Sequence, residues 1–452
     1  MRERPPLPPG PYLVVGLARS GVAAALALRA ARPDERVVAC DSARPPEALA
    51  DAERLARAGV EIHLDTDGIH LLQATPPPAT VVKSPGVPWD ASVVGHARSA
   101  GMEVLGELEL GWRLVPNEFI AVTGTNGKTT TVELIGAMHR AARAPVAVAG
   151  NVGTPVSSLA GALDPAATVV CEASSFQLED STAFAPEAAV LLNLSPDHLD
   201  WHGSTSAYLA AKKRIFAHQG LSDLAVVNGN EAGLTELPGT DVRTIRFGTA
   251  ADCEMRLEAK RLVWRGRPLI GAADVRLRGR FNLFNAMAAA AVCLERGIDP
   301  EPVATALREF AGLPHRLEHV AGIEGVEYIN DSKATNPGAA IAALEAVGDG
   351  AHLILGGSLK GDNFEQLAGQ VGGYCRACYL IGEAEGQLAE DLADAGVELV
   401  RCGDLEQALR EASRRAKPGE VVLLSPACAS FDQYRDFEER GEHFRALVRS
   451  LA

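Results

Sequence analysis

The chain repeatedly sets a short apolar run before a glycine turn and an alanine- or leucine-rich segment. Residues 12–16 make the first such run, and residues 37–41 and 80–82 supply two more. Short runs that are apolar throughout, rather than alternating, suit strands buried on both faces. Strand, turn, helix and strand in that order predict parallel neighbours, because the helix must carry the chain back to the starting edge. A second unit opens at 119–123, with further strands expected at 168–171 and 189–194. A third follows Leu313-Pro314-His315, with strands expected at 326–329, 352–355, 378–381 and 421–424. There is no internal repeat, low-complexity tract or heptad pattern. The pattern therefore predicts an α/β chain of three domains, divided as 1–106, 107–313 and 314–452.

Composition narrows what these domains can do. At 452 residues the chain is too long for one ordinary core, and 47% hydrophobic with 22% charged residues is a globular balance. A formal charge of -15 argues against nucleic acid and anionic membrane as partners, since both need cationic surfaces. Anionic small molecules stay open, because a few lysines and arginines can hold them locally. The opening MRERPPLPPG lacks a signal-peptide apolar stretch, and no run is long enough to span a bilayer. Eight scattered cysteines do not form a disulfide framework, and the lone C-x-x-C of Cys375 and Cys378 sits in an apolar run that reads as buried. A reducing cytoplasm is the expected compartment.

The sharpest chemical signal is Gly124-Thr125-Asn126-Gly127-Lys128-Thr129-Thr130, between an expected strand and an expected helix. Glycines let several N–H groups face phosphate oxygens, the lysine reaches the terminal phosphates, and the Thr129 hydroxyl suits magnesium. Val122 stands where the longer G-x-x-x-x-G-K-[ST] pattern has its first glycine, so this is a shorter loop. The loop by itself predicts a nucleoside triphosphate and leaves an ATPase, a kinase, a nucleotide-gated sensor or a ligase open. Near the N-terminus, Gly16-Leu17-Ala18-Arg19-Ser20-Gly21 is a degenerate dinucleotide turn with Asp41 at the next strand end. Ala18 replaces the glycine that lets a pyrophosphate approach, which weakens an NAD-dependent oxidoreductase reading. Arg19 and Ser20 could instead offer donors to a diphosphate, and a purely structural turn remains the alternative. Glu172, Asp197, His198 and Lys212 fall at or beyond further expected strand ends, where ligands of open α/β sheets collect. Glu172 is a hard oxygen ligand suited to magnesium. The plainer readings are a solvated carboxylate, a helix cap, a satisfied histidine and a surface lysine on a helix starting near Ser206.

The segments GTNGKTT, GNVGTP, CEASSFQLE, LNLSPDHLDWH, YLAAKKRIF, GRFNLFNAMAA, GLPHRLE, NDSKATNP, GGSLKGDNF and LSPACASFDQYRDFEERG occur in this order. Together they resemble the Mur ligase family over essentially the whole chain, and NDSKATNP with SPACASFDQ points to its glutamate-adding branch. The phosphate loop alone is shared with folylpolyglutamate synthetases. The resemblance implies a Rossmann-like UDP-binding domain, a central P-loop ATPase domain and a Rossmann-like amino-acid-binding domain. It places Arg19, Ser20, Asp41, Ser42 and Gly86 around UDP, and Asn151 and His198 near the substrate at the phosphate site. Asn282, Asn285, Arg316, Asp331 and Lys333 would join residues 124–130 around ATP, with Arg316 engaging phosphate on closure of the C-terminal domain. Thr335, Lys360, Ser430 and Phe437 would shape a glutamate pocket. Two magnesium ions would be held by Thr129, Glu172, His198 and an N-carboxylated Lys212, and Lys128, His198 and Lys212 would serve catalysis. The implied reaction joins D-glutamate to UDP-N-acetylmuramoyl-L-alanine through an acyl phosphate, in cytoplasmic peptidoglycan precursor synthesis, by a protein expected to be a monomer.

Overall fold

The computed structural model describes residues 3–195, 197–235, 241–359, 361 and 363–451. It contains three sheets. The first has strands β1 (Tyr12–Val15), β2 (Val37–Cys40), β3 (Val60–His63), β4 (Thr80–Lys83) and β5 (Glu103–Gly106), in the order β3-β2-β1-β4-β5. All its pairings are parallel. Tyr12 and Val14 pack with Ala24 and Leu28 on one face, while Leu13 and Val15 pack with Val93 and Val94 on the other. Both faces are covered, which is why these strands read as unbroken apolar runs.

The central sheet holds β6 (Phe119–Thr123), β7 (Val146–Gly150), β8 (Thr168–Glu172), β9 (Ala188–Leu191), β10 (Leu224–Asn228) and β11 (Arg243–Gly248). It continues through β12 (Met255–Glu258), β13 (Arg261–Trp264) and β14 (Arg267–Gly271), in the order β14-β13-β12-β11-β10-β9-β6-β8-β7. Only β12-β13 and β13-β14 pair antiparallel. From β6 the chain winds one way to β8 and β7 and the other way to β9, so a crevice opens at the carboxyl end of β6. Helix Glu107–Leu114 ties the first sheet to this one. Glu107 accepts the Ser157 N–H and hydroxyl at 2.8 and 2.6 Å, and Glu109 accepts the Ala183 N–H at 3.1 Å.

The third sheet holds β15 (Glu318–Ile323), β16 (Val326–Asn330), β17 (Ala351–Gly356), β18 (Cys375–Ile381), β19 (Glu398–Gly403) and β20 (Val421–Leu424). Their order is β15-β16-β20-β17-β18-β19, with β15-β16 antiparallel. By compactness the chain forms two units, residues 1–272 with 285–306 and residues 273–284 with 307–452. Among the described residues no helix is long and apolar enough to cross a membrane.

Several strands end elsewhere than the pattern suggests. The run expected at 189–194 stops at Leu191, because Asn193 turns away to bond the phosphate loop. The run at 168–171 extends to Glu172, which fixes that carboxylate on the last strand residue. Strand β18 starts at Cys375 and buries both cysteines of the C-x-x-C as free thiols.

Candidate active site

Strand β6 delivers the chain straight into the glycine loop, and helix Lys128–Ala141 leaves it. Gly127 caps this helix at φ 84°, where a Cβ would run into the Asn285 side chain. Glycine is therefore required twice over, by conformation and by space. Asn193 braces the loop from the end of β9: its side chain accepts the Asn126 N–H at 2.9 Å and donates to Asn126 O at 3.0 Å, while its carbonyl accepts the Thr125 N–H at 3.1 Å. The Thr125 hydroxyl donates to Ser195 O at 3.1 Å and pairs with the Tyr208 hydroxyl at 3.0 Å. The Lys128 ammonium donates to Gly124 O and Thr125 O at 2.9 and 2.8 Å. Thr129 and Thr130 lie in the first turn of the helix. The helix N-terminus thus presents backbone N–H groups and a cation to one small space, the arrangement that suits phosphate.

Glu172 enters beside this loop from the end of β8 and is 2% exposed. Its Oε1 accepts from Asn151 at 3.2 Å, but Oε2 has no hydrogen-bond partner among the described residues. A buried carboxylate oxygen left without a donor is costly unless a cation meets it. Lys212, on helix Thr205–Lys213, is 2% exposed, and its Nζ donates to Gly124 O at 2.8 Å. Burial, reinforced by nearby Lys128, lowers its pKa to about 6, while Asp197 and Glu172 pull the other way. Lys212 is consequently an amine, not an ammonium, at neutral pH. His198 follows β9 in a loop at φ 51°, partly exposed, edge-on to Phe176 at 5.0 Å. Its Nε2 lies 3.7 Å from Asp197. Among the described residues no three His, Cys, Asp or Glu side chains form a metal cage. Magnesium does not need one: it keeps waters and takes one or two carboxylates plus substrate phosphate oxygens. Glu172 with its open oxygen and the Thr129 hydroxyl fit that mode.

At the crevice of the first sheet, Asp41 is held by its own turn, accepting the Leu17 N–H at 2.6 Å and the Ala43 N–H at 2.9 Å. A Cβ on Gly21 would collide with Gly16 O, so the last glycine of the turn serves close helix–strand packing. Arg19 and Ser20 occupy the first turn of helix Arg19–Ala31, with Arg19 4.0 Å from Glu47. Ser42 and Gly86 are exposed.

In the second unit, the loops after β16, β17 and β20 converge on Arg440, which is buried. It donates to Ser332 Oγ and O at 3.0 and 2.9 Å, to Cys428 O at 3.0 Å and to Ala429 O at 3.1 Å. Asp331 accepts the Leu317 N–H at 3.1 Å and the Ser425 hydroxyl at 2.9 Å, and burial raises its pKa to about 7. It thereby anchors the turn that carries Arg316. Lys333 lies 3.7 Å over the Phe437 ring. Thr335 follows in the same loop, and Ser430 is buried with a hydroxyl that has no partner among the described residues. Asn282, which donates to Arg278 O at 2.7 Å, lies on helix Arg280–Glu295, whose residues from Asn285 onward belong to the first unit. Lys360 lies outside the described residues.

Asn193, Tyr208 and Arg440 escape a reading of the sequence. Asn193 and Arg440 bond backbone, and Tyr208 a side-chain hydroxyl, of segments outside their own elements, and nothing in their local spacing marks them.

Comparison with known proteins bears on this arrangement. Residues 122–293 match the Mur ligase middle domain and residues 315–428 the Mur ligase glutamate ligase domain. The UDP-N-acetylmuramoylalanine–D-glutamate ligase of Pelotomaculum thermopropionicum is 40% identical, over 97% of each chain. That of Koribacter versatilis is 38% identical, again over 97% of each. Among solved structures, the UDP-N-acetylmuramate–alanine ligase MurC of Thermotoga maritima superposes with a TM-score of 0.63 at 20% identity, covering 98% of this chain and 100% of that one. The MurF ligase of Thermotoga maritima in complex with ADP gives 0.61 at 17% identity, covering 93% and 97%. These two share the three-domain fold. With such identity held over nearly the full length, the chain belongs to the Mur ligase family, among its UDP-N-acetylmuramoylalanine–D-glutamate ligases.

Proposed function

We propose that this protein is a cytoplasmic ATP-dependent ligase that joins D-glutamate to the alanyl carboxylate of UDP-N-acetylmuramoyl-L-alanine. The observation that carries the reading is the meeting of a phosphate loop, a buried carboxylate with an open oxygen and a neutral buried lysine at one strand-end crevice. A simple phosphate-binding switch needs only the first of these. The relatives' reaction gives the other two a purpose.

In this reading the γ-phosphoryl group of ATP passes to the acceptor carboxylate, forming an acyl phosphate and ADP. The glutamate amine then attacks the acyl carbon, and phosphate leaves as the amide forms. Lys128 is already aimed along the loop; moving from the Gly124 and Thr125 carbonyls to phosphate would place its charge where negative charge develops. Magnesium, when bound at Glu172 and Thr129, supplies further counter-charge to the phosphate oxygens. Lys212 as a free amine can add to carbon dioxide with release of one proton, and the resulting carbamate would make a neutral side chain an anionic ligand beside Glu172. Two magnesium ions and the carbamate are parts of this proposal.

The remaining assignments follow the same reading. Arg19, Ser20, Asp41, Ser42 and Gly86 take the UDP moiety, and Asn151 and His198 take the acceptor near the phosphate loop. Asn282, Asn285, Arg316, Asp331 and Lys333 serve ATP, and Thr335, Lys360, Ser430 and Phe437 serve glutamate. The domain divisions are placed near residues 107 and 314.

The test is phosphate release with ATP, magnesium and the UDP-muramoyl acceptor against a panel of D- and L-amino acids. Release that depends on D-glutamate, with one amide formed per phosphate, is the expected result. Release indifferent to the amino acid, or preference for another one, overturns the substrate assignment.

A further inference from the structure

Lys83 ends strand β4, at the start of the loop whose Gly86 was assigned above to the sugar nucleotide. Its side chain is wholly buried, and no step of the reaction uses it. Its ammonium donates to Asp180 Oδ2 at 2.5 Å, and the Asp180 side chain is equally hidden. The ring of Trp89, at the other end of the same loop, lies 5.4 Å from Lys83 Nζ. The carboxylate therefore fixes one end of the segment 83–89, and the ammonium it holds faces the aromatic ring at the other.

Asp180 itself belongs to the central sheet's side of this unit. It follows helix Ser175–Glu179, which begins three residues after Glu172 with a capping box between Ser174 and Gln177. Its carbonyl accepts the Gly106 N–H at 3.3 Å, and a Cβ on Gly106 would stand 2.6 Å from the Asp180 Cβ. The approach of the two segments is close enough to require that glycine. On its inner side the loop is fixed by Ser84, which donates to Gly16 O at 2.7 Å. The nucleotide turn is thus tied through Ser84 to a loop that is tied through Asp180 to the segment leaving Glu172.

Burying two opposite charges costs several kcal/mol of hydration that their attraction only roughly offsets, and an apolar pair would fill the space at least as well. What an apolar pair lacks is direction: a carboxylate sets where its donor stands, and here the donor also faces an aromatic ring. We propose that Asp180, through Lys83 and the Trp89 ring that Lys83 faces, is a positioning residue that sets the 84–88 loop for the uridine diphosphate end of the substrate. This rests on the function proposed above for the identity of the ligand.

The experiment uses the full chain and the variants Lys83→Met, Asp180→Leu, Lys83→Met with Asp180→Leu, and Trp89→Leu. Thermal melting, calorimetric titration with UDP, and KM values for the sugar nucleotide and for ATP are measured on each. Each charge-removing single variant should melt lower, because it strands a buried charge, and the double variant should recover most of the loss. The double variant should nevertheless bind UDP about tenfold more weakly and raise the sugar-nucleotide KM to match, with the ATP KM within about twofold of the parent. Trp89→Leu removes the ring that Lys83 faces and should weaken UDP about threefold, which keeps the test alive if the charge variants do not fold. A double variant with parental UDP affinity, Trp89→Leu with parental UDP affinity, or an ATP KM that rises in parallel would overturn the proposal. UDP titration needs no turnover, so a parent protein that binds UDP but forms no amide sinks the reaction and leaves the loop's role standing. A parent that does not bind UDP sinks this proposal.

Discussion

Two lysines, Lys128 and Lys212, donate to the same carbonyl oxygen, that of Gly124. Two ammonium groups on one acceptor repel each other, and the buried one yields its proton. Lys212 is the buried one, and its pKa near 6 sets the sign of a pH effect. Above that value the amine is neutral and open to carbon dioxide; below it, protonation blocks carbamate formation. Initial rates after equilibration with bicarbonate should accordingly fall as pH drops through about 6, with Lys212→Ala inactive at every pH. Short carboxylic acids should restore part of the Lys212→Ala activity by replacing the missing anion, and failure at all concentrations would remove the carbamate role. Glu172 makes a complementary case. Because Oε2 has no partner among the described residues, Glu172→Gln should leave the free protein's melting temperature unchanged or higher. The same variant should lose most of the magnesium-dependent gain in ATP affinity, about 10²–10³ in turnover for a ligand acting on developing charge. A parental magnesium response would mean that the open oxygen serves something else.

The phosphate loop shows how an element depends on one residue without a side chain. Gly127→Ala places a Cβ at φ 84° and against Asn285. Left-handed backbone costs an ordinary residue about 1–2 kcal/mol. Gly161, at φ 72° with open space around a would-be Cβ, isolates that conformational cost. Gly161→Ala should therefore destabilise by about that amount, and Gly127→Ala by more, with weakened ATP binding; equal losses in chemical denaturation would show that Asn285 yields freely. Most strands buried on both faces were legible from the chain pattern: β1, β2, β4, β6, β8, β16, β17 and β20 all fall on their apolar runs, whereas β10, buried along its whole length, is not among the expected strands. The antiparallel extension β12–β14 did not announce itself. Its strands carry Arg256, Glu258, Arg261 and Arg267 on half-exposed edges, so the apolar signal is diluted. Strand β15, with Glu318 and His319 and Gly322 within it, is only partly buried and fails for the same reason.

At the scale of the molecule, the glycine turn of the first sheet and the phosphate loop of the central sheet belong to one compact unit, while Thr335, Ser430 and Phe437 belong to the other. Ligands for the first two should therefore act on the same unfolding transition. At about a hundred times its dissociation constant either nucleotide adds about 2.7 kcal/mol to that unit. Scanning calorimetry with UDP and with magnesium-ATP should move the same peak upward, and nucleotides that moved different peaks would contradict this division. The amino-acid sequence by itself determined the α/β class, the loop that can cradle phosphate and the residue types able to hold magnesium. These are local properties: a few adjacent residues suffice to set a turn, a strand or a donor array. Which oxygen of Glu172 stays open, that burial pushes Lys212 toward the amine, and that Asp180 pairs with Lys83 at the end of a strand in another sheet were decided only by tertiary structure. Each depends on which groups are brought together out of water, and the removal of solvent, not the spacing along the chain, sets protonation and unpaired polarity.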